Sequence, residues 1–528
     1  MKPNILLIVT DQEYAHPTLP EGYHLPNHER LKARGVAFDN FQATTAFCTP
    51  SRACLYTGQH TPNNGMIDLD NFAYVGAMST EIPTMGNLLR EWGYDTAYKG
   101  KWHLSQLSYE ESSSDTLEPY GFSDFQDNGD THGGVQEGAW RDAQIAEDVS
   151  AWLRKREAAE NPFLLAVNFI NPHDIMFFNT GDGHSQGRFN LASAPETEQY
   201  QKQWDVPLPG NFFDDATQHP PALASHRAVT DINYGRIPTD RPDLWKRHIN
   251  YYLNCLQDVD QQMGKVLDTL EETGLAENTI IIYTSDHGEL AGAHQLVQKG
   301  QVVFREIVNV PLIMVHPNGA KGQTTQAVGS LVDLIPTMLN WAGCHEIQST
   351  YPQLIGHDLS AVIADPTNPG PRGNSAERGC GALLTYDNLF SYDVRWFRQA
   401  MDQILEIDGT GKRLGPPKKY LRDFKAIFNS CGTPNTKLRH MLRGIFDGRY
   451  KLIRYFAIDN YHLPETVEAL FANNDVALYD LINDPHETIN LARPNHPDYD
   501  EALLVEMNEK LNQRIRAEIG QDYSPFGL

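Results

Sequence analysis

The stretch Cys48-Thr49-Pro50-Ser51-Arg52 sets a sulfur nucleophile four residues ahead of a guanidinium. Pro50 fixes its own φ and disfavours the helical region for Thr49, so the chain is expected to turn there. The run from Ser51 to Tyr56 then starts a helix with Cys48 at or near its N-terminus, where partial positive charge favours an anion. Taken alone, the pentapeptide reads better as an ordinary helix start with a buried cysteine. Other residues have to give it chemistry.

Those residues stand at the ends of short apolar runs. Pro3 to Val9 empties into Asp11 and Gln12, Tyr94 to Tyr98 into Lys101 and His103, Phe163 to Phe169 into His173, and Thr279 to Thr284 into Asp286 and His287. Asp11, Asp286 and His287 together offer a divalent cation site, whose oxygens favour Ca²⁺ while the imidazole leaves Mn²⁺ open. A cation beside Cys48 would polarise an oxygen attached there. Lys101 and Lys299 are candidates to hold the other oxygens of a tetrahedral anion, and His103 and His173 to move protons near neutral pH. Each is singly explained as a turn former or a solvated strand end; their convergence is not.

The runs themselves are short and almost wholly apolar, as strands buried on both faces of a parallel sheet are. Helical patterns separate them, over His28–Arg34, Ile82–Trp92, Ala143–Arg156, Pro242–Glu272 and Leu331–Trp341, with a further strand at Val36–Phe41 and another at Pro311–Val315. The alternation predicts an α/β fold with a large, mainly parallel sheet flanked by helices, which binds ligands outside the carboxyl ends of its strands. Asp174 to about Arg241 reads as one long irregular segment walling a substrate pocket. After Ala364 the pattern weakens into a Pro/Gly-rich stretch, followed by a strand near Gly448–Phe456, the run Ala477–Pro485 and a helix from Tyr499 to Ile519. The expected division is a catalytic domain over 1–370 and a smaller α+β domain over 371–528.

A chain of 528 residues is long enough for a large core, and its net charge of −25 argues against nonspecific binding to nucleic acid or anionic membrane. An anionic substrate must therefore be captured by local cations. No apolar run is long enough to span a bilayer, and the N-terminal run lacks the flanks of a signal peptide, so a cytoplasmic location is expected. The six cysteines (Cys48, Cys54, Cys255, Cys344, Cys380, Cys431) are scattered, without disulfide or zinc-site spacing.

These residues together resemble the type I, formylglycine-dependent sulfatases of the alkaline phosphatase superfamily. Cys48-Thr49-Pro50-Ser51-Arg52 fits the family's Cys-X-Pro-X-Arg signature. Gly100-Lys101-Trp102-His103-Leu104, Ser285-Asp286-His287-Gly288-Glu289 through Lys299, and Leu478-Tyr479-Asp480-Leu481 with Glu487 match its later segments. The resemblance implies that Cys48 is converted to formylglycine by a formylglycine-generating enzyme. It implies a divalent cation, Ca²⁺ before Mn²⁺, held by Asp11, Gln12, Asp286, His287 and the modified Cys48. The hydrated aldehyde would supply one hydroxyl to attack sulfur and a second whose collapse releases sulfate. Arg52 would hold that group, Lys101 and Lys299 would neutralise the sulfuryl oxygens, His103 would act as base, and His173 with Lys299 would lie near the leaving oxygen. The substrate implied is a small-molecule sulfate ester of unassigned alcohol. Gln12, where the family commonly has a second aspartate, resembles the choline-sulfatase and phosphonate monoester hydrolase branches. It keeps a phosphonate or phosphodiester substrate as the alternative. A homo-oligomer, by default a dimer, is left open.

Overall fold

The computed structural model describes residues 2–525 apart from 71–74, 106, 108–112, 127–132, 157–159, 390–392 and 405–431. The first strand, β1 (Asn4–Asp11), is buried throughout. Successive strand residues point to opposite faces, so Ile5, Leu7 and Val9 enter one core while Leu6 and Ile8 enter another. That is why the run has no polar alternation. It pairs in parallel with β5 (Phe163–Pro172) and with β6 (Thr279–Ser285). Beyond β5 lie β3 (Asp95–Gly100) and β4 (Ser123–Gln126), also parallel. Beyond β6, β7 (Leu312–Val315) runs antiparallel, and β2 (Val36–Gln42) and β8 (Gln323–Ser330) complete the sheet, in the order β4-β3-β5-β1-β6-β7-β2-β8. The sheet is mainly parallel, as expected. β8 has no counterpart in the sequence reading, because its first half is polar and mostly exposed at the sheet edge.

Helices α1 (Pro26–Arg34), α4 (Gly138–Arg156) and α6 (Pro242–Glu272) cover the face of Leu6 and Ile8. Helices α2 (Cys48–Thr57), α3 (Met85–Glu91) and α7 (Leu334–Trp341) cover the other. In α6, Val259, Met263, Val266 and Leu270 recur at the helical period and are all buried. Two local expectations are corrected. The chain does not turn at Thr49: α2 begins at Cys48 and holds Pro50 in its first turn, where a missing N–H leaves no helical bond unmade. The segment after Asp174 is not irregular throughout, since α5 (Ala222–Tyr234) forms within it. Its sequence alternates polar and apolar residues without a side-chain cap to announce its start.

A second, four-stranded antiparallel sheet follows, of β9 (Ala382–Tyr386), β10 (Arg439–Phe446), β11 (Tyr450–Ala457) and β12 (Asp475–Asp480), in the order β12-β11-β10-β9. One face packs on α8 (Glu501–Glu518) through Leu452 and Leu478 against Leu504, Met507 and Leu511. The other packs on the segment 290–308 through Leu384, Tyr455 and Tyr479 against Leu290, Val303 and Phe304. A buried ion pair, Lys451 to Glu487 at 2.6 Å, reinforces this seam, and Glu487 also accepts the Arg305 backbone N–H at 2.6 Å. The small sheet thus clamps the segment that carries Lys299. Among the described residues no helix is long and apolar enough to cross a membrane, and Cys48, Cys54, Cys255, Cys344 and Cys380 are free thiols. Cys431 lies outside the described residues.

Candidate active site

Strands β3, β5, β1 and β6 are consecutive neighbours, so their carboxyl ends form one row. Lys101, Asn168 and His173, Asp11 and Asp286 are delivered along it by strand register alone. Cys48 and Arg52 arrive from α2, which follows β2 and is buried at all ten of its positions. Two hydroxyls dock that helix onto the row: Thr49 Oγ1 donates to the His103 carbonyl at 2.9 Å and Ser51 Oγ to the Asp286 carbonyl at 2.5 Å.

The inward atoms of Asp11, Cys48, Asp286 and His287 lie within 4.8 Å of one another. Cys48 Sγ is 3.0 Å from His287 Nε2, which in turn is 3.8 Å from Asp11 Oδ1 and 3.7 Å from Asp286 Oδ1. The imidazole–carboxylate separations are too long for hydrogen bonds and suit ligands sharing one ion, since two atoms about 2.4 Å from a cation at right angles are about 3.4 Å apart. His287 Nδ1 donates to the Gly288 carbonyl at 3.0 Å, which leaves the Nε2 lone pair facing the carboxylates. The two buried carboxylates are pulled apart in acidity. Burial alone would raise Asp11, but Lys101 and Arg52 hold it well below the usual range; burial and the charge of Asp11 raise Asp286. A divalent cation between them relieves that repulsion, and the donor set fits one.

Cations surround the pair. Arg52 is fully buried, with Nε 3.1 Å from Asp286 Oδ2, Nη2 3.5 Å from Asp11 Oδ2, and Nη1 donating to Asn168 Oδ1 at 3.0 Å. Lys101 Nζ is 2.7 Å from Asp11 Oδ2, and although burial opposes its charge, Asp11 raises its pKa. Lys299 Nζ donates to Gln12 Oε1, and Gln12 Nε2 donates to Glu289 Oε2 at 2.5 Å. Gln12 therefore stands between the cation cluster and Lys299, with its backbone N–H on Asp286 Oδ1 at 3.2 Å. Gln12, His103 and Gln298 all have positive φ, of 75°, 57° and 70°, a backbone cost of about 1 kcal/mol or more each that the surrounding packing sustains.

His173 is buried, and burial together with Lys101 and Lys299 pushes its pKa well down, so it is neutral. Its Nδ1 makes no hydrogen bond among the described residues. His103 Nε2 lies 3.6 Å from Asp70 Oδ1. Gly133 approaches this side of the site so closely that a Cβ there would sit 3.0 Å from His173 Nδ1 and 3.3 Å from Lys101 Nζ. That point is in reach of both.

The ten candidates named from the sequence lie at this edge together with four residues that the sequence did not mark. Asn168, the one polar residue inside an otherwise apolar run, accepts from both Arg52 and Tyr56. Asp70 and Glu289 belong to no spacing pattern, although Glu289 follows the Asp286-His287-Gly288 run directly. Tyr234, at the end of α5, was hidden in the segment read as irregular; burial, with Cys48 and Glu289 nearby, raises its phenol.

Comparison with known proteins agrees with this arrangement. The sulfatase family model matches residues 3–344. An N-acetylglucosamine-6-O-sulfatase of Bacteroides thetaiotaomicron is 27% identical over 403 residues, covering 65% of this chain and 68% of the relative. A choline-sulfatase of Rhizobium meliloti is 26% identical over 433 residues, covering 74% and 75%. The crystal structure of the phosphonate monoester hydrolase of Agrobacterium radiobacter superposes with a TM-score of 0.64 at 21% identity, over 97% of this chain and 95% of that one. With one fold, one row of strand ends and a match across more than half its length, the chain belongs to the sulfatase family, the hydrolases of sulfuric esters.

Proposed function

We propose that this sulfatase cleaves sulfate monoesters of a small alcohol at Cys48, with a divalent cation held by Asp11, Gln12, Asp286 and His287. The observation that carries the reading is the placement of Cys48 Sγ, 3.0 Å from His287 Nε2 and 3.7 Å from Asp11 Oδ1, inside the cation cluster. When present, formylglycine derived from Cys48 supplies the nucleophilic hydroxyl and the cation, Ca²⁺ in this reading, polarises it. Arg52 orients that group through a guanidinium fixed by Asp286, Asp11 and Asn168. Lys101 and Lys299 balance charge on the sulfuryl oxygens in a site closed to water, where each such contact counts for far more than in solution. His173, kept neutral, hydrogen-bonds the leaving oxygen from Nδ1 without adding repulsion to the two lysines, and His103 takes a proton at Nε2, with Asp70 nearby to stabilise the imidazolium. Cys48 to Arg52 are buried in the folded chain, so a formylglycine-generating enzyme would have to act before α2 docks. The expected division at about residue 370 leaves all of these residues in the first domain.

Competition assays with an aryl sulfate, an aryl phosphonate and a phosphodiester test the substrate class. The sulfate should have the highest kcat/KM; a clear preference for the phosphonate or diester would replace the proposal with the phosphonate hydrolase reading that Gln12 and the Agrobacterium structure keep open.

A further inference from the structure

Gln12 is held by two groups that can each accept only one orientation of its amide. Lys299 Nζ has only hydrogens to offer and faces Oε1, while Glu289 Oε2 faces Nε2 at 2.5 Å and Gln298 Oε1 faces the same nitrogen at 3.2 Å. The flipped amide would set NH₂ against an ammonium and a carbonyl against a carboxylate. Glu289 is itself immobilised, fully buried, with Oε1 accepting the backbone N–H groups of Gln298 at 2.7 Å and Ala291 at 3.0 Å. Those two bonds also bring the ends of the 289–298 loop together, one residue before Lys299.

The charges explain why residue 12 is neutral. Asp11 and Asp286 face Arg52 and Lys101, whereas Glu289 is the carboxylate that meets residue 12 directly. A carboxylate at position 12 would set two acceptor-only groups against each other at hydrogen-bond distance, a local clash with Glu289 that burial makes costly.

We propose that Glu289 is a positioning residue that locks the Gln12 amide with its carbonyl oxygen toward Lys299 and the cation, and that Glu289 is what requires a neutral side chain at position 12. The inference rests on the cation site proposed above. Because glutamine and glutamate have the same length, it makes a reciprocal demand. Exchanging the two, as Gln12→Glu with Glu289→Gln, keeps the net charge and the bonds to Lys299 and between the pair, with the donor sense of the pair reversed, while the Gln298 amide has to flip to donate to position 12. The amide then at position 289 still takes the two backbone N–H groups on its oxygen, and its NH₂ donates to the carboxylate then at position 12.

The experiment measures Ca²⁺ binding by calorimetry on the chelated full-length chain, and Tm of the same samples, for the wild type, both single variants and the exchange. Glu289→Gln should weaken Ca²⁺ binding about tenfold, as loss of a residue supporting a metal ligand does, because the amide then at position 289, its oxygen held by two backbone N–H groups, turns NH₂ against Gln12 Nε2 and opposes the orientation that Lys299 favours. Gln12→Glu alone should lower Tm by about 5 °C or more by opposing two buried carboxylates. The exchange should restore Tm and bind Ca²⁺ at least as tightly as the wild type. Unchanged Ca²⁺ affinity in Glu289→Gln, or an exchange variant no better than the worse single variant, would overturn the proposal; a purely structural role for Glu289 would not be rescued by moving its charge to position 12. A wild type that binds neither Ca²⁺ nor Mn²⁺ would instead bring down the cation site, and the Tm comparison would still decide the Gln12–Glu289 coupling.

Discussion

Asp11, Cys48, Asp286 and His287 on one side, and Asp214, His219 and His294 on the other, are both sets of carboxylate and imidazole groups whose inward atoms lie within 4.8 Å of one another. Their spacings differ. In the first, imidazole and carboxylate stand 3.7 and 3.8 Å apart; in the second, Asp214 Oδ2 is 2.5 Å from His219 Nε2 and 2.6 Å from His294 Nδ1. The outer faces of the rings account for it. His287 gives its Nδ1 hydrogen to a carbonyl and so aims a lone pair inward, whereas His294 Nε2 receives the Asn211 amide at 3.0 Å and so carries its hydrogen inward, onto Asp214. His219 anchors its other nitrogen on the Tyr479 hydroxyl at 2.8 Å, and His294 stacks on Phe304 at 3.8 Å. One cluster has the spacing of a ligand set; the other has that of a hydrogen-bonded clasp between the loop at 214–219, the loop at 294 and the small sheet. Residue types are alike in both, and the hydrogen-bond partner on the far side of each ring decides between them.

The widest gap between the clusters is expected in turnover. Cys48→Ala should lower kcat/KM on an aryl sulfate by about 10⁴-fold or more, as removal of a nucleophile does, and near-normal activity would end the assignment of Cys48. His219→Gln should stay within a few-fold of the wild type. Metal content gives the next contrast. Elemental analysis should find one divalent ion per chain in the wild type and in His294→Gln, and less than one in Asp286→Asn; a second ion lost with His294 would make the clasp a metal site. Space matters only at the first cluster. Gly133→Ala puts a methyl where His173 Nδ1 and Lys101 Nζ converge, and should cost about 10²-fold in kcat/KM with Ca²⁺ content unchanged. Because Gly133 has a φ of 80°, the Tm of Gly133→Ala separates backbone strain from loss of space, and Gly134→Ala, whose Cβ would meet only the Glu137 side chain, is the neighbouring control.

Strand ends made the first cluster legible. An apolar run that terminates in Asp11 or Asp286 announces both a buried strand and a polar group at its carboxyl end, and the shared edge follows from the parallel sheet. The clasp left no such signal, because Asp214, His219 and His294 come from loops and meet only after the chain has folded. Position 12 shows a middle case. The sequence marks Gln12 as unusual, but Glu289, the residue that fixes its amide, lies 277 positions away, and only the 2.5 Å contact relates them. β8 and α5 lack such signals for a different reason: an edge strand half exposed has no continuous apolar run like that of β1, and 13 residues give too few turns for the long apolar periodicity that marks the 31 residues of α6.

The clasp should resist acid until well below the ordinary carboxylate range. Burial raises the Asp214 pKa, but hydrogen bonds from His219 and His294 lower it more, and the folded value ends well below the ordinary carboxylate range. A carboxylate depressed in the folded state adds stability above its unfolded pKa, about 3.9, and that stability is lost as pH falls through the folded value. The groups that face Asp214 are His219 and His294, with the Tyr479 hydroxyl behind His219. Asp214→Asn should therefore lower Tm by about 3 °C at pH 5 to 7, with little dependence on pH in that window. Below about pH 4 the difference should narrow, as the unfolded wild-type chain takes up a proton that the folded carboxylate still refuses. Thermal melts from pH 3 to 7 read this directly: a difference that widened as pH fell would mean that the carboxylate opposes the fold there, and that the short contacts to the two imidazoles are not what holds the loop to the small sheet.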